Sequence, residues 1–168
     1  GKTPCMTTSS PHVGLLVTCL VDTIRPEIGF ATLKLLEDAG CTVSVPETQT
    51  CCGQPGLNSG AREESIPLAT QVIRAFRRFD YVVAPSGSCL GTVKTHYPEL
   101  FADDPDWLAE AEELASRSYE ILSFLHDVCG WQPRDVQYEG TATYHHTCSG
   151  LRELGVYEQP AALLGRVD

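Results

Sequence analysis

Several familiar signatures are missing from these 168 residues. No Cys-x-x-Cys pair occurs, which removes thioredoxin-like, zinc-ribbon and bacterial ferredoxin chemistry. Gly-x-Gly-x-x-Gly, a phosphate-binding loop and Gly-x-Ser-x-Gly are all absent, so dinucleotide, nucleotide and esterase sites have no footing. Basic residues are scarce. Twelve Lys and Arg against 22 Asp and Glu give a net charge of −10, which repels nucleic acid and anionic membrane surfaces. The one basic cluster, Arg74, Arg77 and Arg78, falls at helical spacing and reads as a solvated face. No run approaches the ~18 apolar residues of a membrane span, and no charged-then-apolar leader is visible. The expectation is a cytoplasmic protein with no membrane span and no nucleic-acid partner.

Cysteine, by contrast, is plentiful: eight residues in one chain. In a reducing compartment that number argues for metal or redox chemistry over a disulfide framework. Cys41 opens an apolar run after Gly40, and Cys129 follows an amphipathic stretch, so both read as small core residues. Cys5 sits in a polar tail. Cys19, Cys51, Cys52, Cys89 and Cys148 remain to be explained. The most telling stretch is Cys51-Cys52-Gly53. Neighbouring side chains on an extended backbone point to opposite faces, so both thiols can serve one site only if the chain turns. Gly53 supplies the turn, because without a Cβ it takes positive φ readily. Vicinal ligands are awkward for one tetrahedral zinc, whereas a cluster of several metal atoms offers each sulfur its own partner.

Apolar runs and helical periodicities alternate along the chain. Val13–Val17 reads as a buried parallel strand ending in Thr18-Cys19. Ile24, Ile28, Ala31, Leu35 and Ala39 define one helix face closed by Gly40. Thr42–Val45 alternates like a strand, and a helix ending near Arg78 buries Ile66, Ala69, Ile73 and Phe76. Tyr81–Ala84 is a third strand, running into Pro85-Ser86-Gly87-Ser88-Cys89. One long acidic helix is predicted from Pro105 to Asp127. Thr141–Tyr144 reads as a fourth strand leading to His145-His146-Thr147-Cys148, with a last helix from Pro160 to Leu164. The predicted fold is α/β: a mainly parallel sheet with helices on both faces, Rossmann- or flavodoxin-like. Ligands of such sheets collect beyond the carboxyl ends of the strands, where Cys19, Cys51, Cys52, Cys89 and Cys148 are all predicted to lie.

Cys19, then Cys51-Cys52-Gly53, then Ser86-Gly87-Ser88-Cys89 resembles the CCG cysteine-rich domain family, whose pattern is a lone Cys, Cys-Cys-Gly and Cys-x-x-Cys. Val17-Thr18-Cys19-Leu20-Val21-Asp22, Gln54-Pro55 with Asn58-Ser59-Gly60, and Pro85 to Cys89 are similar to the lactate-utilization branch of that family. Other relatives are the glycolate oxidase iron–sulfur subunit and the CCG-bearing subunit of heterodisulfide reductase. The resemblance implies an iron–sulfur electron-transfer subunit or domain of an L-lactate (2-hydroxy acid) oxidation complex. It implies Cys19, Cys51, Cys52 and Cys89 as cofactor and metal ligands, with Cys148 as a further candidate.

Ser86 departs from the pattern, standing where the first Cys of Cys-x-x-Cys belongs. That leaves four thiols and favours a 4Fe-4S cubane, or zinc, over a five-thiolate cluster. Zinc held structurally by the same cysteines and dithiol–disulfide exchange are the alternatives. One of His145 and His146 could donate a hydrogen bond near the site. The family carries its motif twice, and Tyr144 to Gly155 resembles a second opening with Cys148 as its lone Cys. The expected organisation is a tail at 1–11, a first CCG domain at 12–140, and the start of a truncated second repeat at 141–168. The expected partners are the missing second half of the same chain and the other subunits of a lactate or glycolate oxidation complex. A homodimer of the fragment through exposed apolar surface is also expected. The chain would then be a component of an oxidoreductase and not catalytic by itself.

Overall fold

The computed structural model describes residues 10–167, so Cys5 and most of the tail expected at 1–11 lie outside the described residues. Four parallel strands form one sheet: β1 (His12–Leu15), β2 (Thr42–Ser44), β3 (Tyr81–Ala84) and β4 (Ser118–Glu120), in the order β2-β1-β3-β4. Alternation along each strand splits the core in two. Val13 and Leu15 of β1 and Val83 of β3 point to one face, while Leu16, Val82 and Ala84 point to the other. Gly14 stands among the latter, where the Phe76 and Phe79 rings pack against the sheet. A Cβ at Gly14 would come within 2.7 Å of both rings.

Two connections leave β1 and β3 in opposite directions. From β1 the chain passes through α1 (Cys19–Ile24) and α2 (Pro26–Asp38), whose Leu36 joins the Val13 face, to β2. It returns through α3 (Gln54–Asn58) and α4 (Arg62–Phe76) on the Leu16 face, crosses to β3, and reaches β4 through α5 (Gly87–Gly91), a π-helical turn (Thr92–His96), α6 (Tyr97–Leu100) and α7 (Pro105–Ser116). After β4 come α8 (Ile121–Ser123), a second π turn (Phe124–Val128), an extended segment, α9 (Cys148–Arg152) and α10 (Glu158–Leu164). The fold is therefore α/β with helices on both faces. The order reverses between β1 and β3, which opens a crevice beyond their carboxyl ends. Cys41 and Cys129 are buried in the Val13-side core, as their settings in the sequence imply. Arg74, Arg77 and Arg78 lie at the surface, with the Arg74 and Arg77 guanidinium groups 5.3 and 5.8 Å from the centre of the Trp107 ring. Among the described residues no helix is long and apolar enough to cross a membrane.

Ile66, expected inside, lies exposed on α4, and three expectations about the elements fail. The helix predicted through Ile24 is two helices, because Arg25 leaves helical geometry (φ −134°, ψ 57°) and Pro26, which cannot donate a helical hydrogen bond, restarts it. The buried face shifts accordingly: Thr32, Leu36 and Ala39 are inside, while Ile24 and Ala31 are exposed. The long helix from Pro105 also ends early, at Ser116. Lys94 Nζ donates to the carbonyls of Ala115 (2.7 Å) and Ser118 (3.1 Å), satisfying acceptors at that end and freeing the chain to pair with β3. The fourth strand is consequently Ser118–Glu120 and not Thr141–Tyr144. The latter stretch has strand-like composition but is exposed throughout, and it pairs with no strand among the described residues. Cys148 does not follow a strand of this sheet.

Candidate metal centre

Cys19 is the first residue of α1, two positions beyond Val17 at the exit of β1. Thr18 caps the helix, its hydroxyl accepting from Val21 N–H at 3.4 Å. Cys51 and Cys52 end the loop after β2, where Gly53 takes φ 84° and ψ 0° as the cap of α3. The space around Gly53 is open, the nearest atoms to a built Cβ being 3.8 Å away, so backbone conformation alone requires the glycine. Cys89 is the third residue of α5, capped by Ser86, whose hydroxyl accepts from Cys89 N–H at 3.5 Å. Three loops after three strands thus deliver four thiols, two of them, Cys19 and Cys89, from the connections that flank the β1/β3 crevice.

The thiols stand as two pairs. The Cys19 and Cys51 sulfurs are 3.8 Å apart, and the buried Cys52 and Cys89 thiols shift each other's ionisation. Exposure grades inward: Cys19 is exposed, Cys51 half-buried, and Cys52 and Cys89 buried. All five site candidates, Cys148 included, carry free thiols. Among the described residues no three His, Cys, Asp or Glu side chains converge as a single metal ion would require. The four thiols are soft donors of the kind that hold zinc or iron–sulfur centres.

Electrostatics couple the four. Burial, then the Cys51 hydrogen bond and charge, push the Cys19 thiol up, and Cys89 adds to this. The hydrogen bond with Cys89, reinforced by burial, pushes the Cys52 thiol far up. The same bond, with help from the Ser86 and Ser88 side chains, draws the Cys89 thiol down. The backbone N–H groups of Leu20 and Gln54 act the other way and favour the Cys19 and Cys52 thiolates. A crevice of 310 Å³ opens beside Cys19 and Cys51, walled by Val17, Asp22, Pro46 and Gln49.

Side chains that sequence reasoning passed over hold the Cys-Cys loop in place. Gln49 Oε1 accepts from Val17 N–H at 2.8 Å while its Nε2 donates to the carbonyls of Pro46 (3.1 Å) and Leu15 (3.3 Å), tying the loop to the end of β1. Gln71 of α4 donates to Thr48 O at 2.9 Å. Tyr97, fully buried, donates its hydroxyl to Cys52 O at 2.9 Å. Burial raises the Tyr97 pKa well above its ordinary value, and the thiols of Cys52, Cys51 and Cys89 push it further. The one sequence clue to Tyr97 is its place in the apolar series Leu90, Val93, Tyr97.

Cys148 is the first residue of α9 and is exposed. Its local setting copies that of Cys19: Thr147 caps at φ −68°, ψ 149°, against −74°, 151° for Thr18. α9 packs on α5 at Gly87, where a Cβ would lie 3.1 Å from Gly150 N and from Thr147 Oγ1. His146 lies between the rings of Tyr144 and Tyr157, at centroid distances of 5.0 and 4.9 Å. His145 is exposed beside Glu120 and Thr147 at a neighbouring cavity.

Residues 13–94 match the family model of the cysteine-rich domain, CCG. Lactate utilization protein A of Geobacillus kaustophilus (strain HTA426) is 48% identical over 155 residues, covering 92% of this chain and 64% of that protein. Its namesakes from Macrococcus caseolyticus (strain JCSC5402) and Exiguobacterium sp. (strain ATCC BAA-1283 / AT1b) are 46% and 45% identical, covering 93% and 94% of this chain and 63% and 65% of their own lengths. The chain thus spans a little under two thirds of the curated relatives it matches. No solved structure matches it. With the Cys-Cys-Gly turn inside the matched segment, residues 13–94 are a CCG cysteine-rich domain, and the chain is similar along most of its length to lactate utilization protein A.

Proposed function

We propose that this chain is the iron–sulfur, electron-carrying part of an L-lactate (2-hydroxy acid) oxidation system, with Cys19, Cys51, Cys52 and Cys89 as ligands of one cluster. The observation that carries the proposal is the delivery of four thiols by the three loops that follow β1, β2 and β3, with the Cys19 and Cys51 sulfurs 3.8 Å apart. The names of the relatives support the metabolic setting. A bound cluster of the 4Fe-4S type would supply one-electron transfer. The chain's own part is to hold and shield it. Gln49 and Tyr97 fix the Cys-Cys loop, Leu20 and Gln54 N–H groups offset charge on sulfur, and the exposed Cys19 edge leaves a short path for electrons to and from partners. Those partners are the rest of the lactate utilization protein and other subunits of the oxidation complex. Residues 141–168, with the Thr147-Cys148 cap, are assigned as the opening of a second repeat.

Anaerobic reconstitution with iron and sulfide, followed by metal analysis and electron paramagnetic resonance, tests the reading. The expected result is about four irons per chain and a reducible signal, both lost in Cys52→Ser and Cys89→Ser. A second reading rests on the Cys19–Cys51 separation of 3.8 Å, which equals the roughly 3.8 Å edge of a tetrahedral Zn–thiolate site built on 2.3 Å bonds. One tightly held zinc per chain, with no reducible iron, would replace the cluster by a structural site.

A further inference from the structure

The outer two thiols of the site are placed to react with each other. The Cys19 and Cys51 sulfurs stand 3.8 Å apart, about 1.8 Å beyond the roughly 2.05 Å of a disulfide bond. Side-chain rotation on the two loops covers a gap of that size. Both residues line the crevice of 310 Å³ shared with Val17, Asp22 and Gln49, so a small reagent reaches them from solvent. Cys19 is exposed and Cys51 half-buried, whereas Cys52 and Cys89 are buried. Cys52 is also a poor partner for Cys51. Their α-carbons, joined by one trans peptide, lie about 3.8 Å apart, short of the usual disulfide span of about 4.4–6.8 Å.

We propose that Cys19 and Cys51 are a redox modification site: without bound metal they close into a reversible disulfide, which bars metal from the site until it is reduced. The proposal goes beyond the function above and holds for an iron–sulfur cluster and for zinc alike. The oxidant is a small-molecule disulfide. The Cys19 thiolate attacks one of its sulfurs, forming a mixed disulfide and expelling one thiolate. Cys51 then attacks the Cys19 sulfur and expels the second. Two protein thiols lose two electrons, one external disulfide gains them, and the two cysteine protons end on the two thiols released. Thiolates and not disulfide sulfurs bind metal. The oxidised chain therefore keeps two of its four donors, and a metal already bound holds both outer sulfurs away from the oxidant.

The test treats the chelator-stripped chain with 2-hydroxyethyl disulfide in the absence of air and maps its cross-linked peptides by mass spectrometry. A Cys19–Cys51 linkage is expected, and dithiothreitol is expected to remove it. Uptake of iron and zinc is expected to be lost in the oxidised chain and regained on reduction. Cys51→Ser is expected to stop at the mixed disulfide on Cys19, since nothing is left to resolve it. The proposal is overturned when Cys19 and Cys51 stay reduced, or when the map joins either of them to a different cysteine. Equal metal uptake by oxidised and reduced chains overturns it too. Failure of the iron–sulfur reading looks different: the reduced chain then holds zinc without reducible iron, while the Cys19–Cys51 linkage still forms and supports the modification site.

Discussion

Gly53 holds φ 84° with open space around its missing Cβ, so substitution there isolates a conformational cost from any clash. Gly53→Ala is expected to lower stability by about 1 kcal/mol, the penalty of the left-handed region for an L-residue, and Gly53→Asn by less, because asparagine tolerates that region. Urea unfolding of the two variants beside the wild type measures both. The Cys-Cys-Gly turn was legible in the sequence because its chemistry is written in three consecutive residues. Gln49, Gln71 and Tyr97 were not. Each acts by a hydrogen bond to backbone, of Leu15, Thr48 and Cys52 respectively, and no local pattern announces a contact made over 23 to 45 residues. Ser86 lay in between: its position was visible as a departure from the motif, its capping of α5 only in the structure.

Elements with continuous apolar runs, β1 and β3, were readable; β4 was not. Ser-Tyr-Glu has no run to detect, and Leu114, Leu122 and Leu125 on either side keep a helical rhythm that hides the strand between them. What ends β4 is Glu120, half-buried, whose Oε2 accepts from Leu122 N–H at 2.9 Å and Ser123 N–H at 3.3 Å to cap α8. Burial raises its carboxyl pKa despite those bonds. With the folded value above the unfolded one, folding favours the protonated form. Stability is then greatest below the ordinary carboxylate range, falls as pH rises through the raised folded value, and levels off above it. Glu120→Gln keeps an acceptor for the cap and removes the titration. Thermal melts across that interval are expected to show a smaller decline in the variant, and equal slopes would refute the assignment.

At the scale of the molecule, large apolar side chains stand exposed on the two helices that follow Cys19. Leu20 (67% exposed) and Ile24 (63%) lie one turn apart on α1, and Phe30 (71%) projects from α2. Large exposed apolar side chains grouped in this way favour association. The chain is expected to self-associate with rising concentration, and Ile24→Asp with Phe30→Asp to shift sedimentation toward monomer; a wild type that stays monomeric at high concentration counts against it. The strand order β2-β1-β3-β4 carries a further consequence, for the order of events in folding. Cys19 and Cys89 belong to separate connections, seventy residues apart in the chain. Neither meets the Cys51-Cys52 turn until β1, β2 and β3 are side by side. A centre bonded to both closes a loop of that length, which on a chain-entropy argument stabilises the folded state by about 4 kcal/mol. A centre held by these four thiols would therefore be captured late, once β1, β2 and β3 are side by side.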